Sequence, residues 1–358
     1  VVPVRQRFDR PTVADPAAEL TAGLREKGAL KEIRRGMSVA VTVGSRGISN
    51  QPLLVKSLIR ELRAAGAEPF IIPAMGSHGG ATAEGQRSML EGMGFTEAAM
   101  GAPIRSSMDT VTIGTSANGL PVYIDRNAAE ADGIVIINRV KPHVAFRGPD
   151  ESGLMKMLAI GVAKQEGAES CHSHGFGEMA KNVVDFGSVY LKNAKILFGI
   201  AVIENSFDNT CKVEAVLKEN FLKREPELLK EARALMPQIM FPKFDVLVID
   251  QIGKNFSGDG ADPNVSASYC TPYASGGPEY ERYVILDLSE ETHGNAIGIG
   301  MADISTKRAY DKIDFDAGYP NALTSTVLDG VHVPMILKND ETAIKTAIFS
   351  SVHADKAH

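Results

Sequence analysis

The stretch MSVAVTVGSRGISNQPLLVKSLIRELRAAGAEPFIIPAM, residues 37–75, decides the predicted fold. Its first part, residues 37–45, is an apolar run rich in β-branched side chains, which is typical of a buried parallel strand. Residues 52–66 follow with a proline near the start, leucines along one helical face and a glycine at the end, a pattern that predicts a helix. Residues 67–75 form the next apolar run. Strand, helix and strand in this order indicate a βαβ unit.

The alternation continues along the first part of the chain. We predict a helix, a hairpin around an Asn-Gly turn and two further buried strands, at 81–94, 118–119, 133–140 and 195–205 in that order. Strands that alternate with helices are the mark of a parallel sheet covered on both faces. The expected fold class is therefore α/β, with a Rossmann-like parallel sheet in an N-terminal domain.

A second, smaller α/β domain is expected after residue 240. A charged helix ends shortly before that point, and a new apolar strand follows over 245–253. Further on, we predict a bulged strand in the glycine-rich stretch 297–300 and an amphipathic helix over 341–349. The predicted domains are thus 1–240 and 241–358, with the active site in the cleft between them.

Composition and charge exclude several classes of protein. The chain has 358 residues, 44% of them hydrophobic and 23% charged, as in globular proteins. A net charge of -6 argues against nucleic-acid binding, which needs a basic surface. No apolar run approaches the ~18 residues of a membrane span, and the start VVPVRQRF lacks the apolar core of a signal peptide. Three cysteines without a CxxC pair favour a reducing cytoplasm over a disulfide framework.

Polar loops follow three of the predicted strands. The first begins at Ser45, the second spans 76–80 and the third spans 141–143. Ligands bind at the carboxyl ends of strands in such sheets, and the second loop precedes a helix N-terminus, where an anion is favoured. The plainer alternative for the second loop is a capping turn with an idle histidine. The candidate binding residues of the first two loops are Ser45, Arg46, Gly76, Ser77 and Gly79.

Two histidines lie in these loops, His78 in the second and His143 in the third. Neutral imidazole suits proton transfer near neutral pH. A single histidine after a strand is often only a surface residue, but two at one edge of one sheet are harder to explain in that way. We therefore predict that His78 and His143 act as an acid and a base.

The segment from Val140 to Gly175 concentrates histidines, lysines and glycines without a clear helical or β period, which indicates a site. His172 and His174 form an H-x-H pair, a weak metal-binding signal. A metal-assisted hydrolase or lyase that uses this pair is one alternative function. A non-catalytic metabolite-binding protein is another.

Structural explanations remain open for several residues of this segment. Lys156 lies in the apolar stretch LMKMLAIG, and a lysine that extends from a buried helix towards water has the same pattern. We interpret Lys164 as a solvated charge, Cys171 as a buried bystander and His174 as a residue that either supports the site from behind or lies on the surface.

The order of these elements resembles the nickel-pincer lactate racemase family, whose members racemise or epimerise 2-hydroxy acids. Arg46 in GSRGIS stands where that family has T-R-P. The block HVAFRGPDESGLMK resembles the family's H-x-x-F-x-G…S-G-x-x-K pattern, which opens at His143 and closes at Lys156. DQIGK, with Gln251 and Lys254, resembles its Q-x-x-K pair.

The resemblance implies a role for each matching residue. Lys156 would carry the cofactor, a pyridinium-3,5-bisthiocarboxylic acid mononucleotide, through a thioamide, and His172 would be the one protein ligand to nickel. His78 and His143 would alternate as base and acid in a reversible hydride transfer from C2 of the substrate to the cofactor. The N-terminal domain would hold the cofactor, the C-terminal domain would close over the substrate, and cofactor-biosynthesis proteins would be partners. The residues implied in binding substrate or cofactor are Arg46, Gln251 and Lys254.

The physical chemistry of the reaction agrees with these roles. The proton on C2 beside a carboxylate is weakly acidic, whereas a hydride leaves more easily when a base takes the hydroxyl proton. The flat 2-keto acid then accepts the hydride on either face, so one base is needed for each enantiomer. Two histidines with an ordinary pKa near ~6.5 are expected to suit both directions equally.

Two departures from the family pattern concern the substrate. The family's S-G-G-R-K is SGLMK (152–156) here, and extra residues around PDE separate it from the preceding phenylalanine. We expect Leu154 and Met155 to make the site more apolar, which points to a substrate other than lactate.

Overall fold

The computed structural model describes residues 2–353, and its chain divides into two compact units. We call them the N-terminal unit and the C-terminal unit. The N-terminal unit consists of Phe8–Pro142 and Gly148–Met236. The C-terminal unit consists of His143–Arg147 and the described parts of Val1–Arg7 and Pro237–His358. The predicted division after residue 240 is continuous along the chain, whereas the observed division assigns His143–Arg147 to the C-terminal unit.

The N-terminal unit contains a five-stranded sheet and a separate hairpin. Its strands are β1 (Ser38–Val43), β2 (Glu68–Pro73), β3 (Thr110–Thr115), β4 (Pro121–Asp125), β5 (Gly133–Arg139), β6 (Ile196–Glu204) and β7 (Thr210–Leu217). The sheet order is β2-β1-β5-β6-β7, in which the first four strands are parallel and β7 runs antiparallel to β6. Strands β3 and β4 form the predicted hairpin. The predicted α/β class with a parallel sheet is confirmed, and the antiparallel β7 adds to it.

The helices of this unit connect the strands. They are α1 (Pro16–Lys27), α2 (Gln51–Ala64), α3 (Ala83–Gly92), α4 (Glu97–Met100), α5 (Arg126–Glu130), α6 (Leu154–Lys156), α7 (Lys164–His172), α8 (Met179–Asn193) and α9 (Phe221–Leu235). In α2, Pro52 occupies the first turn and three leucines at helical spacing are fully buried in one cluster with the valines of β1. That burial stabilises the βαβ unit that the sequence predicts.

One edge of the five-stranded sheet can form a site, because the strand order reverses there. From β1 the chain crosses to β2 on one side, and β5 lies on the other side of β1. The parallel register pairs Val43 with Pro73 and Val41 with Val135. The carboxyl ends of these strands therefore share one edge, at a switch point of the kind where α/β proteins bind ligands.

The C-terminal unit contains a four-stranded parallel sheet with the order β11-β10-β9-β8. Its elements are β8 (Val246–Ile249), α10 (Pro263–Ser266), β9 (Arg282–Ile285), β10 (Ile304–Thr306), α11 (Lys307–Asp311), α12 (Phe315–Ser325), β11 (Met335–Leu337) and α13 (Asp340–Ser350). The final helix is confirmed, and the side chain of Asn339 caps it. The strand predicted at 297–300 is wrong, because Gly298 adopts φ +99° and a 3-10 turn, Ile299–Met301, follows it. Within residues 2–353, no helix combines the length and apolar character that a membrane crossing needs.

Candidate active site

The first two predicted loops meet at the shared edge of the sheet. Ser45 follows β1, His78 follows β2, and the Oγ atom of Ser45 lies 2.5 Å from Nδ1 of His78. The imidazole is exposed. A hydroxyl group can donate or accept a hydrogen bond, so this contact suits either protonation state of the ring. The geometry therefore brings a candidate base and an adaptable partner together.

The loop that carries His78 is folded tightly onto its neighbours. Gly76 has φ +58°, and its N–H group donates to the carbonyl of Gly161 at 3.1 Å. Gly79 has φ +68°, and a Cβ atom there would lie 2.7 Å from the backbone nitrogen of Gln86. Glycine is required at position 79 because of this left-handed backbone conformation and because a Cβ atom would collide with Gln86. Thr82 then caps α3 by accepting from the N–H group of Gly85.

The interpretation of Lys164 as a solvated charge is wrong. Its side chain is fully buried, because Nζ has three acceptors within reach inside the unit. These are the carbonyl of Pro73 at 2.6 Å, Oε1 of Gln86 at 3.1 Å and Oδ2 of Asp125 at 3.0 Å. Burial lowers the pKa of Lys164 and raises the pKa of Asp125, while the ion pair opposes both shifts.

The segment that leads to Lys156 is attached to the end of β5. The side chain of Asn138 donates to the carbonyl of Gly153 at 2.8 Å, and the N–H group of Lys141 donates to the carbonyl of Ser152 at 2.9 Å. Lys156, which is half-buried, ends α6, and a π-helical turn over Met157–Gly161 follows. Such turns are frequent at functional sites.

Two buried carboxyl groups belong to the same region. Glu225 on α9 accepts from the N–H group of Met155 at 3.0 Å. Burial raises the pKa of Glu225 to about 8, with a further contribution from Asp150, and burial raises the pKa of Asp150 to about 7. Glu225 therefore holds the start of the helix that carries Lys156.

The expected effect of Leu154 and Met155 on the substrate site is wrong. Both side chains are fully buried. Leu154 packs close to Gly199 of β6, and Met155 packs close to Gly187 of α8. They stabilise the interior of the N-terminal unit instead of lining an accessible surface.

His172, the last residue of α7, has the hydrogen bonding of a metal ligand. Its Nδ1 atom donates to the carbonyl of Ala168 at 2.7 Å, and its ring packs edge-on against Phe176. Burial lowers the pKa of His172, the hydrogen bond to Ala168 opposes this, and the charge of Lys156 lowers the pKa further. A neutral ring that donates through Nδ1 keeps its lone pair on Nε2, the arrangement found in most histidine ligands.

His143 is held differently, within the C-terminal unit. Its Nδ1 atom accepts from the N–H group of Ala145 at 3.0 Å, and its ring lies 4.4 Å from that of Phe146. A backbone N–H group can only donate, so the neutral ring carries its proton on Nε2. The carbonyl of His143 accepts from Arg147 at 2.7 Å and from Asn264 at 3.3 Å.

Arg147 anchors this short segment inside the C-terminal unit. Its guanidinium group donates to Oδ1 of Asn264 at 2.6 Å and to the hydroxyl of Tyr269 at 2.9 Å, and it lies over the Tyr269 ring. Thr271 also donates to the carbonyl of Ala145. These contacts are the physical reason why residues 143–147 group with the C-terminal unit.

The remaining predicted residues are placed as follows. Arg46 is exposed in the loop after β1, and Gln251 is exposed after β8. Lys254 donates from Nζ to the carbonyl of Gly258 at 2.7 Å. His174 is exposed, and its Nδ1 atom lies 3.3 Å from the amide nitrogen of Asn118.

The predicted site residues are thus divided between the two units. Ser45 and His78 form one contact, and Lys156 acts electrostatically on His172, all within the N-terminal unit. The predicted residues that belong to the C-terminal unit are His143, Gln251 and Lys254.

Sequence reasoning missed the buried polar residues behind this site. Gln86 and Glu225 each occupy the apolar face of a helix, the former with Leu90 and the latter with Leu228 and Leu229. A polar side chain on the apolar face of a helix is the sequence signal that could have identified both residues. Lys164 gives no such signal.

The comparisons with known proteins agree with this architecture. Residues 8–183 match the model of the lactate racemase N-terminal domain. No curated protein matches the chain. The lactate racemase apoprotein from Thermoanaerobacterium thermosaccharolyticum has a TM-score of 0.56 and 13% identity, over 98% of this chain and 91% of that one. A protein of known crystal structure from Thermotoga maritima has a TM-score of 0.53 and 16% identity, over 78% and 72% of the two chains.

At these identities the two structures establish a shared fold, and the family model adds the relationship in sequence. Residues 8–183 of this chain therefore belong to the lactate racemase N-terminal domain family.

Proposed function

We propose that this protein is a racemase or epimerase of a 2-hydroxy acid and that it depends on a nickel-pincer nucleotide. The observation that carries the proposal is the hydrogen bonding of His172, a half-buried imidazole that donates through Nδ1 to the carbonyl of Ala168. Membership of residues 8–183 in the lactate racemase N-terminal domain family supports it.

The donor set fits such a cofactor. Within residues 2–353, no group of three or more His, Cys, Asp or Glu side chains is arranged to hold a metal ion. A metal at Nε2 of His172 would therefore take its other ligands from a bound molecule, and a pincer with two sulfurs and a carbon supplies them. Lys156, whose charge acts on His172, would tether that molecule. When bound, the cofactor would supply a reversible acceptor for a hydride.

The protein's own side chains would move the hydroxyl proton. The His78 ring, which Ser45 contacts at Nδ1, would accept the hydroxyl proton of the substrate. His143 would serve the opposite enantiomer, in keeping with the one-base-per-face requirement of racemisation.

Cations and amides would hold the substrate carboxylate. Arg46 offers a guanidinium group, which pairs with carboxylates through two parallel hydrogen bonds. Gln251 and Lys254 are the candidates in the C-terminal unit. We further propose that cofactor-biosynthesis proteins act on this chain in the cytoplasm, where the free thiols of Cys171, Cys211 and Cys270 stay reduced.

The alternative hydrolase or lyase finds no support in the geometry of the H-x-H pair. Nδ1 of His172 faces the carbonyl of Ala168, whereas Nδ1 of His174 faces Asn118 at an exposed position. The two rings have different partners and different burial. His174→Ala is therefore a matched control for His172→Ala.

Production of the protein together with the cofactor-making enzymes tests the proposal. We expect bound nickel, an added mass on the peptide that contains Lys156, and interconversion of the enantiomers of a 2-hydroxy acid in chiral chromatography. His172→Ala should lose nickel and activity together, and His174→Ala should keep most of both. Protein without nickel and without turnover would favour the metabolite-binding alternative, and an unmodified Lys156 in active protein would exclude the covalent tether.

A further inference from the structure

Lys164 is an unusual first residue for a helix. Its backbone adopts φ +57°, the left-handed region that lysine rarely occupies, and its side chain is fully buried. Buried lysines are rare unless they are paired. The conformation directs Nζ to Pro73, Gln86 and Asp125, which lie far from Lys164 in the sequence.

Gln86 connects this buried ammonium group to the loop that carries His78. Its side chain is fully buried, and Nε2 donates to the carbonyl of Gly76 at 2.8 Å and to that of His78 at 3.1 Å. The ammonium group can only donate, so Oε1 of Gln86 must face Lys164 and the NH₂ group must face the two carbonyls. The orientation of the amide is thereby determined.

The network holds three carbonyl groups in succession at the end of β2. Lys164 binds that of Pro73 directly, and through Gln86 it holds those of Gly76 and His78. Asp125 balances the charge and also caps α5 by accepting from the N–H group of Ala128. The loop is thus held from inside the protein while the His78 imidazole remains exposed.

We infer that Lys164 is a positioning residue for His78 and acts through Gln86. This inference rests on the proposed role of His78 in proton transfer. Lys164 is fully buried and so does not touch the substrate. It begins α7, and His172 ends the same helix, so one side chain links the candidate base to the helix of the candidate metal ligand.

The substitution Gln86→Glu tests the link. A glutamate keeps an acceptor for Lys164 but replaces the NH₂ donor with an oxygen that repels the carbonyls of Gly76 and His78. Gln165→Glu is the matched control, because Gln165 adjoins Lys164 while its side chain bonds to the exposed Glu169. Gln86→Met, which preserves volume without adding charge, serves if Gln86→Glu does not fold.

Two measurements decide the outcome. Hydrogen exchange of amides 76–81, followed by mass spectrometry, should become on the order of tenfold faster in the Gln86 variants and stay unchanged in Gln165→Glu. In the loaded enzyme, kcat should fall by up to about 10²-fold, with KM and nickel content nearly unchanged, since a small misplacement of a base costs that much.

Unchanged exchange in the loop, or equal changes in Gln165→Glu, would overturn the inference. The exchange measurement needs no turnover. If the wild-type protein fails to racemise any substrate, the proposed function fails while the exchange result still decides whether the link through Gln86 holds the loop.

Discussion

The two candidate acid/base histidines occupy loops that are built in opposite ways. The backbone carbonyl of His78 is held from inside through Gln86, and its ring meets the hydroxyl of Ser45, which can donate or accept. The ring of His143 accepts from the N–H group of Ala145, which can only donate. Taking up a proton at Nε2 of His143 therefore requires that Nδ1 first gives up this bond. The expectation that both rings suit both directions equally does not survive this comparison.

The comparison shows that two histidines can differ in which ring nitrogen carries the proton as well as in where they lie. Ser45 can pair with either tautomer of the His78 ring, whereas the neutral ring of His143 carries its proton on Nε2. We expect the enantiomer that is deprotonated by His78 to react faster in the first turnover.

The largest effect should come from removing either ring. His78→Ala and His143→Ala should each lower racemisation by about 10²–10⁴-fold, the usual contribution of a general acid or base. Both variants should keep nickel, because neither residue is proposed as a ligand. Chiral chromatography measures the racemisation, and near-complete activity in either variant would exclude the two-base mechanism.

The same variants sharpen the comparison when bound keto acid is measured after rapid quenching. His143→Ala retains His78 and should form keto acid from one enantiomer in a single turnover. His78→Ala should form it more slowly from the other enantiomer, because His143 begins as a donor. Equal rates in the two variants would show that the Ala145 contact does not restrain His143.

Arg147→Lys should have the next largest effect, confined to the loop of His143. A lysine cannot reproduce the planar set of hydrogen bonds to His143, Asn264 and Tyr269. We expect bound keto acid to form about 10–10²-fold more slowly in a single turnover from the enantiomer served by His143, with a smaller change for the other. Equal slowing for both enantiomers after rapid quenching would contradict the separate anchoring of the two loops.

Ser45→Ala should have a smaller effect, on the loop of His78. The substitution removes the hydroxyl that lies 2.5 Å from Nδ1, so the ring loses orientation but keeps its basic nitrogen. We expect a loss of about tenfold in kcat/KM, close to that of one neutral hydrogen bond. Rescue by Ser45→Thr would separate the hydrogen bond from packing, and an unchanged pH profile in Ser45→Ala would argue that the contact is incidental.

The smallest effect concerns stability. It tests the segment that carries Lys156 and does not involve the loops of His78 and His143. Burial raises the pKa of Glu225 to about 8, so between about pH 5 and 8 the folded state holds a proton that the unfolded chain has released. The free energy of unfolding should therefore fall as the pH rises through this window, by up to about 1.4 kcal/mol per pH unit. In Glu225→Gln, the free energy of unfolding measured with urea should depend less on pH. An identical pH dependence in the variant and the wild type would show that Glu225 is ionised in the folded protein.

The sequence predicts the framework of this molecule better than its interior. The strands at 37–45, 67–75 and 133–140 are visible because each is a local apolar run. The loop of His78 follows from the same patterns, since glycines and polar residues come directly after a strand. Local pattern is sufficient where structure depends on neighbours in the sequence.

Burial of charge and grouping of segments depend on distant residues instead. Lys164 is buried because Gln86 and Asp125 provide acceptors, and nothing near Lys164 in the sequence indicates that. His143 leaves the unit of its neighbours because Arg147 binds residues near 264–275. The glycines at 297–300 illustrate the opposite error, in which an apolar pattern resembled a strand while a left-handed Gly298 produced a turn.

The grouping of His143–Arg147 has a consequence for the order of events during synthesis. These residues leave the ribosome long before Asn264 and Tyr269, the partners of Arg147. A nascent chain that ends at Met236 contains every strand of the five-stranded sheet, yet its His143 segment still lacks those partners. Maturation of the second histidine is thereby coupled to completion of the C-terminal unit, and a gene divided at that boundary would yield two fragments of which neither holds His143 together with its anchors.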